Sequence, residues 1–320
     1  MGVVLASVSM ADRAWSVENT SQQSPVKFEI QATISRSGFS MGFGFDSLWL
    51  MSDGHLVRVN AADNTTVDID IPVSEAGAAL TENDKYRGIA VGEGAVWVPD
   101  MGSSTIYKVD PDSNKVVLKI HTDIFGGQGS IGVGAGAIWV VTFDNHDKTL
   151  TRYNSKSGAE EAKIALPYPC RGVTVGNGYV WVTAASRKEL YRIDPLTNRI
   201  ASTTMLHGAS HIVASGEGSI WIAYDTEGLV ERIDAKTGDV AATIKTGPTD
   251  MESDGDIATG GGFIWVITRG SIVARIDPTN NLARGQFQPK PGLIAGRRIR
   301  YGGGSLWISG NSIFRIKPPE

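Results

Sequence analysis

The sequence predicts an all-β fold, namely a seven-bladed β-propeller with four-stranded blades. Three observations point to it: a tryptophan that recurs at nearly constant spacing, a glycine motif that precedes these tryptophans, and a turn motif that follows them. Glycine accounts for 38 of the 320 residues, against roughly 7% in an average protein. Such an excess indicates that a tight turn is repeated along the chain.

The tryptophan spacing defines the repeat. Successive members are separated by 48, 42, 42, 40, 44 and 42 residues, and they are Trp49, Trp97, Trp139, Trp181, Trp221, Trp265 and Trp307. A period of about 40–45 residues with one aromatic side chain per unit is typical of a propeller blade. Helical repeats of that length are excluded because no unit contains an amphipathic segment of about 10–12 residues. We expect the seven indoles to pack between neighbouring blades.

A glycine motif precedes the tryptophans and predicts the first hairpin of each blade. The motif is Gly-x-Gly-x-apolar-Trp-apolar, as in Gly92–Val98, and only the first copy departs from it, with Gly44 kept and Asp46 in the second slot. Two glycines that bracket one residue between short apolar runs can supply the positive φ angles of a tight turn. A dinucleotide-binding loop is excluded because it needs a third glycine and a following helix.

An aspartate or asparagine ends the third strand of most units. Asp110, Asp194 and Asp277 are each followed by proline, whereas Asp234 and Asn154 occupy the same slot without it. These side chains cap their own turns and proline presets φ, so we expect structural roles for them. A fourth apolar strand follows, and the blade is therefore predicted to contain strands a, b, c and d, with the tryptophan in strand b.

The two ends of the chain predict how the ring closes. The seventh unit stops after strand c, at residues 313–316, while the segment 26–34 precedes the first unit and has the pattern of a strand d. Pairing of the two would complete the last blade with an N-terminal strand and leave no exposed edge. The propeller is thus assigned to residues 26–320. Residues 1–25 form either an N-terminal tail or the apolar part of a signal peptide, although no Lys or Arg precedes it.

Composition excludes several classes of function. One cysteine, Cys170, excludes an intrachain disulfide framework and a Cys-based zinc cluster. The net charge of −4 argues against non-specific binding to nucleic acid. No run approaches the ~20 apolar residues of a membrane span. We expect a monomer that is periplasmic or secreted if residues 1–25 are a signal, and cytoplasmic otherwise.

Basic residues recur at one offset in the repeat. The d-to-a and b-to-c loops lie at one end of the central channel, which we call the mouth, and ligand-binding residues are expected there. Ten residues before each tryptophan, at the start of strand a, stand Phe39, Arg87, Gly129, Arg171, His211, Gly255 and Arg297. Arginine holds carboxylate or phosphate in a bidentate fork. The sequence predicts that the three arginines, with Phe39, bind an anionic small molecule or peptide; alternatively, they pair with acids of adjoining loops and seal the ring.

Other groups predicted near the mouth could support chemistry. A histidine beside a carboxylate can act as a general acid or base, and His211 is one blade away from an acidic loop that contains Glu252 and Asp254. These acids could orient His211, bind a divalent metal such as magnesium or calcium, or remain solvated. Asp100 and Tyr224 stand three positions after their tryptophans, at the start of b-to-c loops, and are further candidates. A hydrogen-bonded loop histidine is the alternative for His211.

The glycine–tryptophan repeat, with Ile-Asp-Pro turns about fourteen residues later, resembles the virginiamycin B lyase-like and YncE-like seven-bladed propellers over residues 26 to 318. In that family the lyase opens a cyclic depsipeptide lactone by elimination, with magnesium and a histidine base. The resemblance places that histidine at His211. The two family carboxylates fall at Tyr224 and Ala209, and a second histidine falls at Arg171, so the resemblance implies an altered site.

Two classes of function therefore stay open. One is an exported enzyme, a lyase or hydrolase, in which His211 moves a proton and Tyr224, Asp254 or a metal ion assists. The other is a non-catalytic propeller, a scaffold whose mouth captures a small anion or a partner peptide. The fold does not decide between them.

Overall fold

The computed structural model describes residues 29–38, 40–72, 88–100, 103–122, 129–143, 148–224, 227–247, 255–268, 272–287 and 298–318. These residues form 28 β-strands and one short 3-10 turn at Ala185–Arg187. Within these ranges no helix is long and apolar enough to cross a membrane. The all-β prediction is confirmed.

The first three blades follow one another along the chain. Blade 1 contains β2 (Met41–Gly44), β3 (Ser47–Ser52), β4 (His55–Asn60) and β5 (Thr66–Ile69). Blade 2 contains β6 (Ala90–Gly92), β7 (Ala95–Asp100), β8 (Thr105–Asp110) and β9 (Lys115–His121). Blade 3 contains β10 (Gly129–Gly134), β11 (Ala137–Phe143), β12 (Lys148–Asn154) and β13 (Glu160–Ala165).

The next three blades repeat this order. Blade 4 contains β14 (Gly172–Gly176), β15 (Tyr179–Ala184), β16 (Glu189–Asp194) and β17 (Arg199–Met205). Blade 5 contains β18 (Ile212–Gly216), β19 (Ser219–Tyr224), β20 (Leu229–Asp234) and β21 (Val240–Lys245). Blade 6 contains β22 (Asp256–Gly260), β23 (Phe263–Thr268), β24 (Ile272–Asp277) and β25 (Leu282–Phe287).

Blade 7 combines the two ends of the described chain. It contains β26 (Arg298–Gly302), β27 (Ser305–Ser309), β28 (Ile313–Lys317) and, as its outer strand, β1 (Glu29–Ile34). Strand β1 pairs antiparallel with β28, with Ile34 opposite Ile313. The inner strands contact one another around the ring, and β2 of blade 1 contacts both β6 and β26. Seven four-stranded blades in a ring are the predicted architecture.

The tryptophans form the cores between blades, as predicted. All seven are at most 1% exposed. Each lies in a cluster with strand-b residues of the next blade, such as Trp49 with Val96 and Val98. An indole buries roughly 150–250 Å², which at about 25 cal/mol per Å² contributes about 4–6 kcal/mol before conformational entropy is subtracted. These seven clusters are the main apolar contacts between blades.

The two glycines of the motif have different roles, which corrects the expectation that both serve the turn. The turn itself is formed by the middle residue and the second glycine, for example Glu93 at φ 50° and Gly94 at φ 74°. The carbonyl of the first glycine accepts a hydrogen bond from the tryptophan, at 3.0 Å for Trp97 Nε1 and Gly92. A Cβ on the first glycine would also collide with the next blade. In Gly302 it would lie 2.0 Å from the ring of Phe43.

The aspartates after strand c are turn formers, as expected. Asp110 accepts hydrogen bonds from the backbone N–H and the hydroxyl of Ser113, both at 2.7 Å. These bonds hold the pKa of Asp110 below its ordinary value. Asp277 makes the same contacts with Thr279, and its pKa is likewise lowered. Both carboxylates are satisfied within their own turns.

A basic side chain on strand c of every blade lies over an aromatic ring of its own blade. We call these residues the bridging cations, and they are Arg58, Lys108, Arg152, Arg192, Arg232, Arg275 and Arg315. Six of them also donate hydrogen bonds to the c-to-d turn of the next blade. Arg58, for example, binds the carbonyl of Pro111 at 2.6 Å, and Arg315 closes the series on Asn64 at 3.1 Å. Polar contacts thus join the blades outside the apolar cores.

Candidate functional site

Of the charged or titratable residues predicted at the start of strand a, the structure describes Arg171 and His211. Both immediately precede inner strands, β14 and β18 respectively, and both side chains are partly exposed. Phe39, Arg87, Arg297, Glu252 and Asp254 lie outside the described residues. Their predicted roles therefore remain predictions.

Arg171 and His211 originate from touching segments of backbone. The backbone N–H of Arg171 donates to the carbonyl of Thr183 at 3.1 Å, and that of Gly172 donates to the Thr183 hydroxyl, also at 3.1 Å. A Cβ on Gly172 would lie 2.3 Å from the carbonyl oxygen of His211. Only glycine allows this approach without displacing backbone. The guanidinium and the imidazole thus belong to adjacent positions on the ring.

His211 lies at the end of a well-anchored segment, residues 206–211, which we call the 206–211 loop. Its end next to His211 is fixed by Ser210, whose hydroxyl donates to the carbonyl of Ala223 at 2.6 Å and accepts from the N–H of Ile212 at 3.0 Å. Its other end is fixed at His207, whose Nε2 lies 2.8 Å from Glu227 Oε2. The loop is therefore held at one end by strand b of blade 5 and at the other by its b-to-c connection.

Tyr224 has a buried contact. Its side chain is 2% exposed, and its hydroxyl donates a short hydrogen bond to Glu231 Oε2. Burial, followed by this bond, raises the pKa of Tyr224 above its ordinary value, so the phenol keeps its proton. The hydroxyl is thus already engaged in the structure, and the catalytic role predicted for Tyr224 stays a prediction.

Asp100 is also buried, at 2% exposure. Its Oδ2 accepts a hydrogen bond from the hydroxyl of Ser103 at 2.6 Å, within the b-to-c loop of blade 2. This contact stabilises the loop. Its predicted part in ligand binding stays a prediction.

Arg300, near the predicted Arg297, joins three blades. Its Nη1 lies 2.7 Å from Asp256 Oδ2 in blade 6, and its Nε donates to the carbonyl of Met41 in blade 1 at 2.8 Å. Asp256 also accepts from the N–H of Ile299 at 2.9 Å. One acid of the predicted acidic loop is therefore committed to holding the inner strands together.

Cys170, next to Arg171, is a buried free thiol. It is fully buried, and its Sγ lies 3.2 Å from the carbonyl of Tyr168. Burial, with a smaller effect of Glu189, raises the pKa of Cys170 to about 12. The thiolate, which is the nucleophilic form, is therefore scarce at neutral pH.

A divalent metal finds no ready donor set in the described part of the site. No group of three or more His, Cys, Asp or Glu side chains there is arranged to hold an ion. Arg171 and Tyr224 occupy positions where the resemblance would require an imidazole and a carboxylate. Because a cation and a protonated phenol are poor ligands for magnesium or calcium, these two residues do not fit the metal.

Sequence reasoning missed the contacts that His207 makes with Glu231 and Glu227. Glu231 is 4% exposed and lies under the 206–211 loop. Its signal in the sequence was a glutamate directly before a bridging cation in Leu229–Asp234, at an offset where the other blades carry no charged residue. A buried acid requires hydrogen-bond donors, and that requirement could have directed attention to it.

Comparison with known proteins places the fold. No protein-family model and no curated protein matches the sequence. Virginiamycin B lyase from Staphylococcus aureus is similar in structure, with TM-score 0.73 and 15% identity over 91% of this chain and 100% of that chain. A streptogramin B lyase gives TM-score 0.69 and 18% identity over 91% and 96% of the two chains.

A propeller of another kind is almost as similar. The WD40 propeller domain of Doa1 gives TM-score 0.68 and 11% identity over 92% of this chain and 98% of that chain. The expected likeness to the virginiamycin B lyase-like propellers is thus confirmed for the fold. At these identities it is a likeness of fold alone, and it does not choose between a lyase and a binding protein.

Proposed function

We propose that this propeller binds an anionic small molecule at its mouth, beside blades 4 and 5. The observation that carries the proposal is the contact between the backbones of Gly172 and His211, which brings Arg171 next to His211. An arginine offers a fork of donors to carboxylate or phosphate, and an imidazole can add one more. The two residues together make a compact anion-binding pair.

Charges on neighbouring loops support an anionic ligand. Arg187 and Lys188 lie in the b-to-c connection of blade 4. Arg187 lies 4.4 Å from the centre of the Tyr168 ring, and Lys188 Nζ donates to the carbonyl of His207 at 3.3 Å. Cationic groups on one end of a propeller raise the local potential and attract anions over a distance of several ångströms. This end of blades 4 and 5 is thus suited to a carboxylate or phosphate.

A ligand screen by thermal unfolding tests the proposal. Phosphate, sulfate, citrate and other small organic acids would be added singly to the full chain. An anion at about 100 times its dissociation constant stabilises the native state by about 2.7 kcal/mol. For 320 residues, with about 2.1 cal/mol/K of unfolding entropy per residue, this corresponds to about 4 °C in Tm.

Matched variants decide whether the mouth is responsible. Arg171→Gln should abolish the stabilisation by the best anion, whereas Arg199→Gln, on an exposed position of β17, should retain it. His211→Ala should weaken binding, and His55→Ala, which removes an exposed histidine of blade 1, should not. Equal responses of Arg171→Gln and Arg199→Gln would place the anion elsewhere and refute the proposal.

A second candidate function is elimination catalysed at the same site. It is favoured by the match of His211 to the catalytic histidine of the lyase-like propellers that the sequence resembles. In this reaction His211 would accept a proton from the carbon next to the one that carries the ester oxygen. A double bond would form between these two carbons as the C–O bond breaks, and Arg171 would bind the carboxylate that is released.

Liquid chromatography with tandem mass spectrometry of a cyclic depsipeptide lactone, such as a streptogramin B, distinguishes the outcomes, because the opened chain separates from the lactone and fragments differently. Elimination gives a linear product of unchanged mass that contains a new double bond, whereas hydrolysis adds the mass of one water. Retention of the intact lactone would eliminate the catalytic candidate and leave the binding function. Stabilisation by an acidic peptide but by no small anion would favour a partner-binding scaffold instead.

Export is a further part of this proposal, since the apolar stretch near the start of residues 1–25 resembles a signal sequence. Fractionation of a bacterial host that expresses the full chain tests it. Accumulation of full-length protein in the cytoplasm alone would contradict export.

A further inference from the structure

In blades 2 and 5, one position of strand c supports the loop that enters the blade. It directly precedes the bridging cation and is occupied by Val57, Tyr107, Thr151, Tyr191, Glu231, Ala274 and Phe314 in blades 1 to 7. In blade 2 the hydroxyl of Tyr107 donates to the carbonyl of Pro72 at 2.7 Å, in the segment that leads into that blade. Glu231 is the one charged member of the seven.

Glu231 holds the 206–211 loop by its backbone. Its Oε2 accepts the N–H of His207 at 3.1 Å and also the hydroxyl of Tyr224. A carboxylate accepts hydrogen bonds without donating any when it is ionised, and both groups that face this oxygen are donors. Neither valine nor alanine, which occupy this position in other blades, could satisfy them.

The other contacts of the 206–211 loop connect the position of His207 to that of His211. Glu227 and Lys188 hold the side chain and the carbonyl of His207, respectively. Gly208 lies against the ring of Tyr224, since a Cβ there would be 3.2 Å from the ring carbon Cδ1. Ser210 then fixes the last residues before His211. Only three residues separate His207 from His211, so a displacement of His207 is expected to displace His211 as well.

We propose that Glu231 is a positioning residue that sets the place of His211 at the mouth through the 206–211 loop. The proposal deepens the anion-binding function and rests on it for its biological meaning. Its structural content, however, concerns the environment of the His211 imidazole and can be measured without any ligand.

The experiment is NMR of the histidine ring C–H groups in the full-length chain, which contains five histidines. Each resonance is assigned from the variant that lacks it. Glu231→Val removes both acceptor contacts and uses a side chain that blade 1 tolerates at the equivalent position. Glu231→Thr, after Thr151 of blade 3, is the second variant. Glu231→Gln retains one carboxamide oxygen as acceptor and should restore the loop.

We expect the His211 resonance to move by more than its linewidth in Glu231→Val and Glu231→Thr, and to return towards its wild-type position in Glu231→Gln. His55 and His121, in blades 1 and 2, should stay in place and show that the variants are folded. Tyr107→Phe is the matched control, because it removes the equivalent loop contact in a distant blade and should leave His211 unchanged. A fixed His211 resonance in folded Glu231→Val or Glu231→Thr would overturn the inference, as would an equal shift in Tyr107→Phe.

Phosphate titration of the same samples separates this inference from the proposed function. If the released loop holds His211 in place for about a tenth of the time, the apparent dissociation constant for phosphate rises about tenfold. Failure of phosphate and organic acids to bind the wild-type chain would defeat the anion-binding function, while a shifted His211 resonance would still establish the positioning role. An unchanged phosphate affinity beside a shifted resonance would show that His211 position does not govern binding and would overturn the functional part of the inference.

Discussion

The bridging cations offer the sharpest test of what joins the blades. Arg232 of blade 5 donates from Nη1 to the carbonyl of Pro278 at 2.6 Å and to Asn281 Oδ1 at 2.9 Å, both in blade 6. Its Nε donates to the hydroxyl of Ser219 at 2.8 Å, and its guanidinium carbon lies 5.5 Å from the centre of the Trp221 ring. Replacement by methionine keeps an unbranched apolar stem over the indole and removes every one of these polar contacts.

The expected cost follows from those contacts. Three hydrogen bonds at about 0.5–1.5 kcal/mol each, and a cation–π contact of about 0.5–1 kcal/mol, give a range whose centre is about 3–4 kcal/mol. Water can reach the acceptors of the c-to-d turn and recovers part of this. We therefore expect Arg232→Met to lower the free energy of unfolding by about 3 kcal/mol and Tm by about 4–5 °C.

Calorimetry and urea unfolding measure this loss, with Arg199→Met as the control. Arg199 lies on an exposed position of the outer strand β17, and its replacement should change stability by less than about 0.5 kcal/mol. Asn281→Ala, which removes one acceptor of the bridge, should fall between the two. If Arg232→Met were as stable as Arg199→Met, the bridges would contribute nothing measurable, and the apolar cores alone would hold the blades.

Three further outcomes are expected from the packing and the buried titratable groups. Gly302→Ala should lower the free energy of unfolding measured in urea by about 1–3 kcal/mol, because the new methyl group collides with Phe43. Gly88→Ala, whose new methyl group meets no atom within 4 Å, should lower it hardly at all. Equal losses in the two variants would refute the packing argument. Cys170 should react with a disulfide reagent at pH 8 at least about 100 times more slowly in the native protein than in urea, since burial raises its pKa to about 12. Rapid reaction of the thiol in the native protein would contradict this prediction. Burial and a 2.5 Å hydrogen bond to Glu189 raise the pKa of Tyr191. The stability that Tyr191 contributes is therefore complete below the ordinary tyrosine pKa of about 10 and is lost as the pH rises above it. Tm measured from pH 7 to 11 should fall less steeply in Tyr191→Phe than in the wild type, and parallel curves would show that this phenol does not contribute.

The number of blades and the order of strands could be predicted because both depend on local, repeated signals. Each blade is a meander of neighbouring strands, so one tryptophan and one turn motif per unit suffice to define it. The first copy of the glycine motif lacks the second glycine, yet it forms the same turn, because Phe45 and Asp46 adopt φ angles of 53° and 50°.

Contacts between blades were harder to predict, because the two partners are more than forty residues apart. The basic residue two positions before each turn was visible, as in Lys108 before Asp110, but its acceptor belongs to the following unit, such as the carbonyl of Ser155. The repeat predicts where a residue lies within its own blade. It does not predict where a long, flexible side chain points.

The candidate site contains one feature that could be predicted from the repeat and one that could not. The adjacency of Arg171 and His211 could be predicted, because both occupy the same offset in consecutive units. The burial of Tyr224 could not, since it depends on Glu231, seven residues later, at a position where other blades carry valine, alanine or phenylalanine. A departure from the repeat shared by no other unit can be interpreted only once its neighbours in space are known.

The way in which blade 7 is assembled has a consequence for folding kinetics. Arg315 binds Asn64 across 251 positions of sequence, and the hydroxyl of Ser305 binds Gln31 across 274. Contacts this distant form slowly, because the intervening chain must be ordered before they are gained. Joining the first and last strands is therefore expected to be a late and slow event in refolding, and a circular permutant that opens the ring between two other blades would transfer that event to the new junction.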